Sequence, residues 1–274
     1  MTFPTSGSGD VSRYATLDDD PDPSFFVHLM DEFRAVPDIV ALKRAMSDAL
    51  QPGPGRSLLD VGCGTGDDVL ALAARLLPGG TAVGLDHSTV MLAEARRRSA
   101  MSQLPVEFHA GNACSLPFED DRFDACRAER TLVHVVDPAL AVTEMVRVTR
   151  PGGRVVLFEG EIATLDGTVG DPELATRIND CFNRRLLNSW VAGRLARICD
   201  TAGLVDIEAR PFPVTIPFAC YRPMVSGLLQ QAVSSGDITS TDLASFFDAV
   251  ALAEREGSPG ARARGWLVSG RIPG

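Results

Sequence analysis

The stretch that decides the fold reads SLLDVGCGTGDDVLALAARLL over residues 57–77. Its first five residues form a short apolar run, which is typical of a strand covered on both faces. Glycine follows at every second position, 62, 64 and 66, and the acidic pair Asp67 and Asp68 then opens a segment with helical spacing of its apolar residues. We therefore predict a strand, a tight turn and a helix, with ligands binding beyond the carboxyl end of the strand.

The same alternation of apolar runs and helix-period segments continues downstream, which favours parallel strands joined by crossover helices. After the helix predicted over 67–77, the stop PGG at 78–80 precedes the next strand. Further strands are predicted over 81–86, 106–110, 123–128, 154–159, 205–216 and 264–271. The intervening segments 161–203 and 222–256 are predicted to be mainly helical. The sequence thus predicts an α/β protein.

Five segments are expected along the chain. Residues 24–51 contain apolar residues at helical spacing, and Pro37 divides them into two helices. The full division is a mobile segment over 1–23, an N-terminal helical cap over 24–51, a ligand-binding core over 52–160, a helical segment or lid over 161–203, and a C-terminal part over 204–274 that holds the last two strands and an inserted helical lid.

The composition of the chain disfavours several classes of function. The chain has 274 residues, of which 45% are apolar, enough for one globular domain with embellishments. Lys+Arg number 26 against 36 Asp+Glu, a net charge of -10 that disfavours nucleic acid as a partner. No apolar run approaches the roughly 18 residues of a membrane span, and the opening MTFPTSGSGD lacks the features of a secretory signal, so we expect a cytoplasmic protein. The six cysteines lack metal-ligand spacing and are expected to be reduced packing residues.

The spacing of the glycine turn distinguishes between two cofactor classes. A dinucleotide fingerprint starting at Gly62 requires glycine at position 67, where this chain has Asp67, and a carboxylate there would repel a pyrophosphate. A side chain at Gly62 or Gly64 would block the approach of a ligand to the backbone or demand dihedral angles that only glycine adopts freely. A tight turn without a ligand is the alternative interpretation.

Two more elements follow the next two strands. Asp86 ends the strand in GLDHS, where a carboxylate can accept both hydroxyls of a ribose; alternatively it caps the helix that begins near Ser88. Asn112, in Gly111-Asn112-Ala113, follows the third strand, where a side-chain amide could bind an adenine edge. Asparagine is also an ordinary turn residue.

At this point the sequence resembles the class I S-adenosylmethionine-dependent methyltransferases, in particular enzymes of ubiquinone and menaquinone biosynthesis and of natural-product pathways. LLDVGCGTG is similar to the first motif of the family, GLDHS to its ribose-binding motif and GNA to its adenine motif. LPFEDDRFDAC (116–126) and EMVRVTRPGGRVVLFE (144–159) are similar to the stretches around strands four and five. One departure is Asn112, where the family usually has Asp. The resemblance covers roughly residues 57–160 and the closing strand.

The resemblance implies a Rossmann-like, seven-stranded, mostly parallel sheet with helices on both faces, N-terminal helices and a helical lid insertion. Its last strand would lie antiparallel beside strand six. It also implies S-adenosylmethionine as cofactor, S-adenosylhomocysteine as product and no metal. The expected cofactor-binding residues are Asp60, Gly62, Gly64, Gly66, Asp86, His87, Asn112, Ala113 and Glu129.

Methyl transfer in such enzymes depends on orientation and on exclusion of water, and needs no covalent enzyme intermediate. His134 is the first candidate for a group that polarises or deprotonates the nucleophile, although it could equally be a packed histidine on the following helix. The resemblance suggests that Tyr14 covers the methionine part of the cofactor. Glu129, Arg130, Glu159 and Glu161 are expected to point toward the mouth of the crevice or to form surface salt bridges.

Apolar residues outside the core are candidates for a lipophilic substrate pocket, although each could be ordinary core. The pocket residues singled out are Phe25, Phe26, Leu29, Trp190 and Tyr221. The leading hypothesis is methyl transfer to an oxygen or carbon of a small aromatic or isoprenoid-like metabolite in secondary metabolism. The alternatives are cofactor binding for cyclisation or regulation without methyl transfer, and a nicotinamide-dependent oxidoreductase, which Asp67 disfavours. We expect a small-molecule substrate, no nucleic acid or membrane partner, and possible homo-oligomerisation through the N-terminal helices.

Overall fold

The computed structural model describes residues 10–166 and 170–274, except for the side chains of 162–166. The chain forms two compact units. The core unit comprises Ala41–Glu159, Trp190–Phe212 and Trp266–Gly274, and the helical unit comprises the chain up to Val40, Gly160–Ser189 and Pro213–Gly265. These boundaries differ from the five predicted segments, because residues 41–51 and 190–203 belong to the core unit.

Seven strands form one sheet with the order β3-β2-β1-β4-β5-β7-β6. The pairs β1–β2, β1–β4, β2–β3 and β4–β5 are parallel. The predicted Rossmann-like, mostly parallel sheet is thereby confirmed, and the last strand lies beside β6 as expected. The strands are β1 (Ser57–Val61), β2 (Thr81–Asp86), β3 (Val106–Ala110), β4 (Phe123–Glu129), β5 (Thr149–Asp166), β6 (Val205–Ile216) and β7 (Ala261–Arg271).

Nine α-helices lie within the described residues, and the predicted division of residues 24–51 into two helices at Pro37 is confirmed. They are α1 (Ser24–Arg34), α2 (Pro37–Leu50), α3 (Asp67–Arg75), α4 (Thr89–Ser99), α5 (Pro138–Val148), α6 (Pro172–Arg185), α7 (Leu195–Thr201), α8 (Phe218–Ser234) and α9 (Ser240–Arg255). Three 3-10 helices span Val11–Asp19, Leu132–His134 and Ala192–Arg194.

Two segments differ from the sequence-based expectation. The segment 161–203 is not helical at its start, because β5 continues through Asp166. Ile162 and Thr164 are β-branched, and such residues favour extended backbone. The segment 1–23, expected to be mobile, contains the 3-10 helix Val11–Asp19, which Asp10 caps by accepting a hydrogen bond from the Ser12 amide. The same expectation for residues 1–9 lies outside the described residues.

Helix α8 is the centre of the helical unit. It contacts α1, α6, α9 and the 3-10 helix Val11–Asp19. Its buried residues include Val225, Leu228 and Leu229, which expose no surface. Burying such side chains stabilises the unit by roughly 1.5–3 kcal/mol for each residue, before the cost of chain entropy.

Candidate functional site

The glycine turn joins β1 to α3 and requires glycine for reasons inside the protein. The φ angles of Gly62, Gly64 and Gly66 are +74°, +51° and +76°, in the left-handed region that other residues rarely adopt. A Cβ atom on Gly62 would lie 2.3 Å from the Thr131 hydroxyl oxygen, and one on Gly66 would lie 2.8 Å from the Phe108 ring. Glycine is therefore required at positions 62 and 66 both by the backbone conformation and by the tight packing around the turn.

Asp86 connects this turn to the end of β2. Its Oδ2 atom accepts a hydrogen bond from the Gly64 amide at 2.8 Å, and its Oδ1 atom accepts one from the Ser88 amide at 2.9 Å. Ser88, not Asp86, caps α4, because the Ser88 hydroxyl accepts from the Met91 amide. A carboxylate has about four acceptor positions, so the two amides leave acceptor capacity on Asp86. That capacity suits the hydroxyls of a ribose.

The other predicted adenosine residues flank this point. His87 is exposed, and its Nδ1 atom lies 3.4 Å from Asp86 Oδ1. Asn112 is exposed, and its side-chain oxygen accepts a hydrogen bond from the Cys114 amide at 2.9 Å, the pattern of an asparagine turn. The Asn112 amide group keeps its donors, and Ala113 beside it is buried. Both alternatives for Asn112, turn residue and adenine contact, are compatible with this geometry.

Asp60 and Glu129 belong to a cluster of six charged side chains, called the charge cluster below. At its centre is Arg127, whose side chain is 3% exposed. The guanidinium of Arg127 lies 2.5 Å from Glu129 Oε2, 3.3 Å from Asp68 Oδ2 and 3.4 Å from Asp60 Oδ1. Lys43 pairs with Asp68 and with Glu129, and Arg130 pairs with Glu129 at 3.0 Å. The cluster consists of Lys43, Asp60, Asp68, Arg127, Glu129 and Arg130.

Burial and pairing act differently on the carboxyl groups of the charge cluster. Burial raises the pKa of Asp60 to about 7, even though Arg127 lies beside it. Burial would also raise the pKa of Glu129, but Lys43, Arg130 and Arg127 together hold it well below its usual range. Glu129 is therefore a fully charged acceptor at neutral pH, whereas Asp60 titrates near neutrality.

Glu159 was expected to point toward the mouth of a crevice, but it does not, because the residue is only 1% exposed. Its Oε1 atom accepts a hydrogen bond from the Leu132 amide at 2.6 Å, and the amides of Thr131 and Val133 also donate to this carboxyl group. Burial outweighs these bonds and raises the pKa of Glu159 to about 8. This carboxyl group fixes the turn that follows β4. Glu161 forms the salt bridge that was its alternative role, with Arg264 at 3.6 Å.

His134 ends the 3-10 helix that Glu159 anchors, and it lies before α5 rather than on it. Burial, with smaller contributions from His87 and Arg130, lowers the pKa of the imidazole to about 4. The ring is therefore neutral at pH 7 and can accept a proton or a hydrogen bond.

Most of the predicted substrate residues belong to the helical unit, as does Tyr14. The Phe26 ring is edge-on to Tyr14, with centroids 4.9 Å apart, and to Phe25 at 5.4 Å. Phe25, Phe26, Leu29 and Tyr221 are buried and Tyr14 is half-buried. Trp190 belongs to the core unit instead, is 44% exposed and lies beneath the Arg194 guanidinium. The buried positions suit ordinary core residues, so their contact with a substrate stays a prediction.

Sequence reasoning missed two side chains that organise this site, Lys43 and Arg127, and it misjudged the surroundings of Glu159. A usable signal existed for Arg127, which stands inside FDACRA, a run expected to be a buried strand. A buried charge must be paired, so a partner carboxylate was to be expected nearby. Lys43 gave no such signal, because its neighbours in the sequence are those of an ordinary amphipathic helix.

Within 10–166 and 170–274, no group of three His, Cys, Asp or Glu side chains is arranged to hold a metal ion. Over the same ranges, no helix combines the length and the apolar character needed to cross a membrane.

Comparison with known proteins agrees with the geometry. Residues 59–157 match the family model described as "Methyltransferase domain". The chain is 36% identical over 215 residues to an uncharacterized 37.1 kDa protein in transposon TN4556 of Streptomyces fradiae, covering 77% of this chain and 62% of that protein. It is 42% identical over 175 residues to a demethylmenaquinone methyltransferase of Bacillus cytotoxicus, covering 58% of this chain and 74% of the relative. The chain thus spans less than two thirds of the first relative and about three quarters of the second.

Solved structures share the fold. The YcgJ protein of Bacillus subtilis matches with a TM-score of 0.59 and 18% identity, over 85% of this chain and 98% of that one. The [4+2]-cyclase SpnF matches with a TM-score of 0.53 and 24% identity, over 85% of this chain and 81% of that one.

Proposed function

The chain belongs to the class I S-adenosylmethionine-dependent methyltransferases, and from that premise we propose that it methylates an oxygen or carbon atom of a small lipophilic metabolite. The observation that supports this proposal most directly is the left-handed glycine turn bound through Gly64 to a buried Asp86. The two amides leave acceptor capacity on the Asp86 carboxylate, which suits a ribose. S-adenosylmethionine, when bound, supplies an electrophilic methyl group on a positively charged sulfur.

The residues of the core unit would hold this cofactor in distinct ways. Asp86 would bind the ribose hydroxyls, with His87 beside it, and Asn112 and Ala113 would contact the adenine. Gly62, Gly64 and Gly66 present a backbone without side chains. Asp60 and Glu129 would bind polar groups of the methionine part. Glu129 is suited to this role because it is charged at neutral pH, its pKa being lowered by three neighbouring cations.

His134 would act on the methyl acceptor. Its imidazole is neutral at pH 7, since burial lowers its pKa to about 4. A neutral ring can orient a hydroxyl group by accepting its hydrogen bond and can take up the proton as the new bond to carbon forms. Such a weak base suits an acidic hydroxyl, as in a phenol or enol, better than an aliphatic alcohol. Tyr14 would cover the methionine part of the cofactor.

The proposed substrate class rests on the apolar residues of the helical unit. Phe25, Phe26, Leu29 and Tyr221, with Trp190 of the core unit, would contact an aromatic or isoprenoid-like molecule. The relative named a demethylmenaquinone methyltransferase supports a lipophilic acceptor. The net charge of -10 disfavours a nucleic-acid substrate. We propose that the reaction belongs to natural-product biosynthesis in the cytoplasm and that the N-terminal helices allow homo-oligomers.

A second candidate function keeps the cofactor site without methyl transfer. A chain described as a [4+2]-cyclase shares the fold, so this scaffold is compatible with cyclisation, and a regulatory role is the other form of this candidate.

One experiment separates the two candidates. The protein is incubated with S-adenosylmethionine carrying a labelled methyl group and a panel of phenols, quinols and isoprenoids. Methyl transfer requires label in the acceptor and equimolar S-adenosylhomocysteine, with loss of turnover in His134→Gln. Tight cofactor binding with no label in any acceptor supports the second candidate.

A further inference from the structure

Lys43 is the only lysine of the chain. The proposed function assigns no role to it. It lies on α2 and is half-buried. Its ammonium group pairs with two carboxylates on different elements, Asp68 of α3 and Glu129 at the end of β4. Ordering a lysine side chain costs up to about 2 kcal/mol of rotamer entropy, so two buried or half-buried partners indicate a defined position.

The partners of Glu129 are divided unequally between its two oxygens. Oε2 accepts from Arg127 at 2.5 Å and from Lys43 at 3.3 Å, whereas Oε1 accepts from Arg130 alone at 3.0 Å. A carboxylate oxygen accepts about two hydrogen bonds, so Oε2 is saturated and Oε1 keeps one open position. Lys43 and Arg127, from two different elements, thereby fix the orientation in which that open position is presented.

Charge balance gives Lys43 a second effect on Glu129. The charge cluster has three cations, Lys43, Arg127 and Arg130, facing the carboxyl groups of Asp60, Asp68 and Glu129. Without Lys43, two cations would face three buried or half-buried carboxyl groups, which favours protonation of one of them. A protonated Glu129 would no longer be an acceptor at both oxygens.

We propose that Lys43 is a positioning residue that holds the Glu129 carboxylate charged and correctly turned for the cofactor. This inference rests on the proposed role of Glu129 in binding S-adenosylmethionine. Lys43 acts through Glu129 and needs no contact with the cofactor itself.

The test is a double-mutant cycle on cofactor affinity. The dissociation constant for S-adenosylmethionine is measured by calorimetry for wild type, Lys43→Met, Glu129→Gln and the double variant. We expect Lys43→Met to weaken binding about tenfold, and to cause no further loss in the Glu129→Gln background. Lys43→Arg should restore most of the affinity. Arg271→Met, which removes an exposed pair with Asp206, is the matched control and should bind like wild type.

Equal losses from Lys43→Met in both backgrounds would overturn the inference, because Lys43 would then act independently of Glu129. Unchanged affinity in Lys43→Met would overturn it as well. Wild type that fails to bind the cofactor would refute the proposed function, whereas wild-type binding with unchanged affinity in Glu129→Gln would refute this inference alone.

The pH dependence of binding gives a readout that a purely structural role would not move. In Lys43→Met the cofactor affinity should begin to fall at a higher pH than in wild type as the solution is acidified, because the Glu129 carboxylate protonates more easily. The neighbouring groups Asp60 and Asp68 share the remaining cations, Arg127 and Arg130, with it. An unshifted profile counts against the inference.

A measurement on the unmutated protein covers the case in which Lys43→Met does not fold. Labelling with ¹⁵N-lysine gives a single side-chain resonance, because Lys43 is unique. Addition of S-adenosylmethionine should shift that resonance as Glu129 engages the ligand. A resonance unmoved at saturating cofactor would overturn the inference.

Discussion

Among the single residues of the site, three carboxyl groups differ in the groups that surround them and therefore in the roles they can take. Asp86 is tied to two backbone amides, Glu129 to three cations, and Glu159 to the amides of one turn. The consequences for charge differ, because the cations keep Glu129 charged whereas burial outweighs the backbone amides at Glu159 and favours its protonated form.

Replacing Asp86 by Asn should weaken binding of S-adenosylmethionine by about 10–100-fold. The substitution places an amide group or a neutral oxygen where Gly64 and a ribose hydroxyl both donate, and hydrogen bonds to charged groups contribute about 1.5–3 kcal/mol. Calorimetric titration measures the change. Asp206→Asn, at an exposed position, serves as the control, and an affinity equal to that of wild type would reject the ribose role of Asp86.

Glu159→Gln should change the pH dependence of stability. Since the pKa of Glu159 is raised to about 8 from an ordinary 4.5, the folded protein favours the protonated form. Stability from this group is therefore fully present below about pH 4.5 and is lost as pH rises through 8. Glutamine keeps an acceptor oxygen and does not titrate. We expect the variant to match wild type at pH 5 and to exceed it at pH 8.

Urea denaturation at the two pH values measures the free energy of unfolding for this comparison. One pKa unit corresponds to about 1.4 kcal/mol, so the difference is well within reach of the method. A variant that loses stability relative to wild type as pH rises would mean that the Glu159 carboxylate is charged and stabilised by the amides of Thr131, Leu132 and Val133.

At the scale of elements, the sequence predicted the strands better than their continuation. The ends of β1 and β2 agree with the apolar runs, because a strand buried on both faces shows up directly as continuous apolar sequence. The ends of β3 and β6 were also predicted, although these strands are largely half-buried or exposed. The extension of β5 to Asp166 was not predicted. Backbone pairing leaves no mark in the sequence, and the apolar pattern of the residues after Gly160 does not distinguish a strand from a helix. Partners from distant parts of the chain, such as Lys43 with Glu129, are likewise set by tertiary packing.

Alanine substitutions at Gly62 and Gly55 separate the effect of packing from that of backbone strain. Gly62 and Gly55 have nearly the same φ, +74° and +77°, but only Gly62 has a neighbour where a Cβ would lie, Thr131; Gly55 has none within 4 Å. Both alanine variants carry about 1–3 kcal/mol of backbone strain, and Gly62→Ala adds about 1–3 kcal/mol of overpacking. Chemical denaturation should therefore show Gly62→Ala as the less stable of the two. Equal losses would contradict the packing described for this turn.

At the scale of the whole molecule, two units are proposed to carry two tasks, cofactor binding in the core unit and substrate binding in the helical unit. The boundaries of the two units along the chain were only partly predictable. Most of α2 and all of α7 belong to the core unit, although both helices lie in segments that were expected to form a cap or lid. The cofactor residues were recognisable because a motif is local, whereas substrate residues such as Phe26 look like any buried apolar residue.

Changing the apolar residues of α1 should weaken substrate binding more than cofactor binding. Phe26 is fully buried, and replacing such a residue by Ala costs about 3–5 kcal/mol, so leucine is the better probe. We expect Phe25→Leu/Phe26→Leu to lower kcat/KM for the methyl acceptor at least severalfold and to change the dissociation constant of S-adenosylmethionine far less, since Phe26 reaches the cofactor only through Tyr14. Equal loss of both would argue against a substrate role for α1.

Calorimetric titration with S-adenosylmethionine, S-adenosylhomocysteine and NAD in parallel measures whether the site at residues 60–66, 86 and 112 takes an adenosyl-sulfur cofactor. We expect both adenosyl-sulfur ligands to bind and NAD to give no heat of binding, because Asp67 stands at the start of α3, where a pyrophosphate would need glycine. Binding of NAD alone, or of none of the three to protein shown to be folded by circular dichroism, would contradict this expectation.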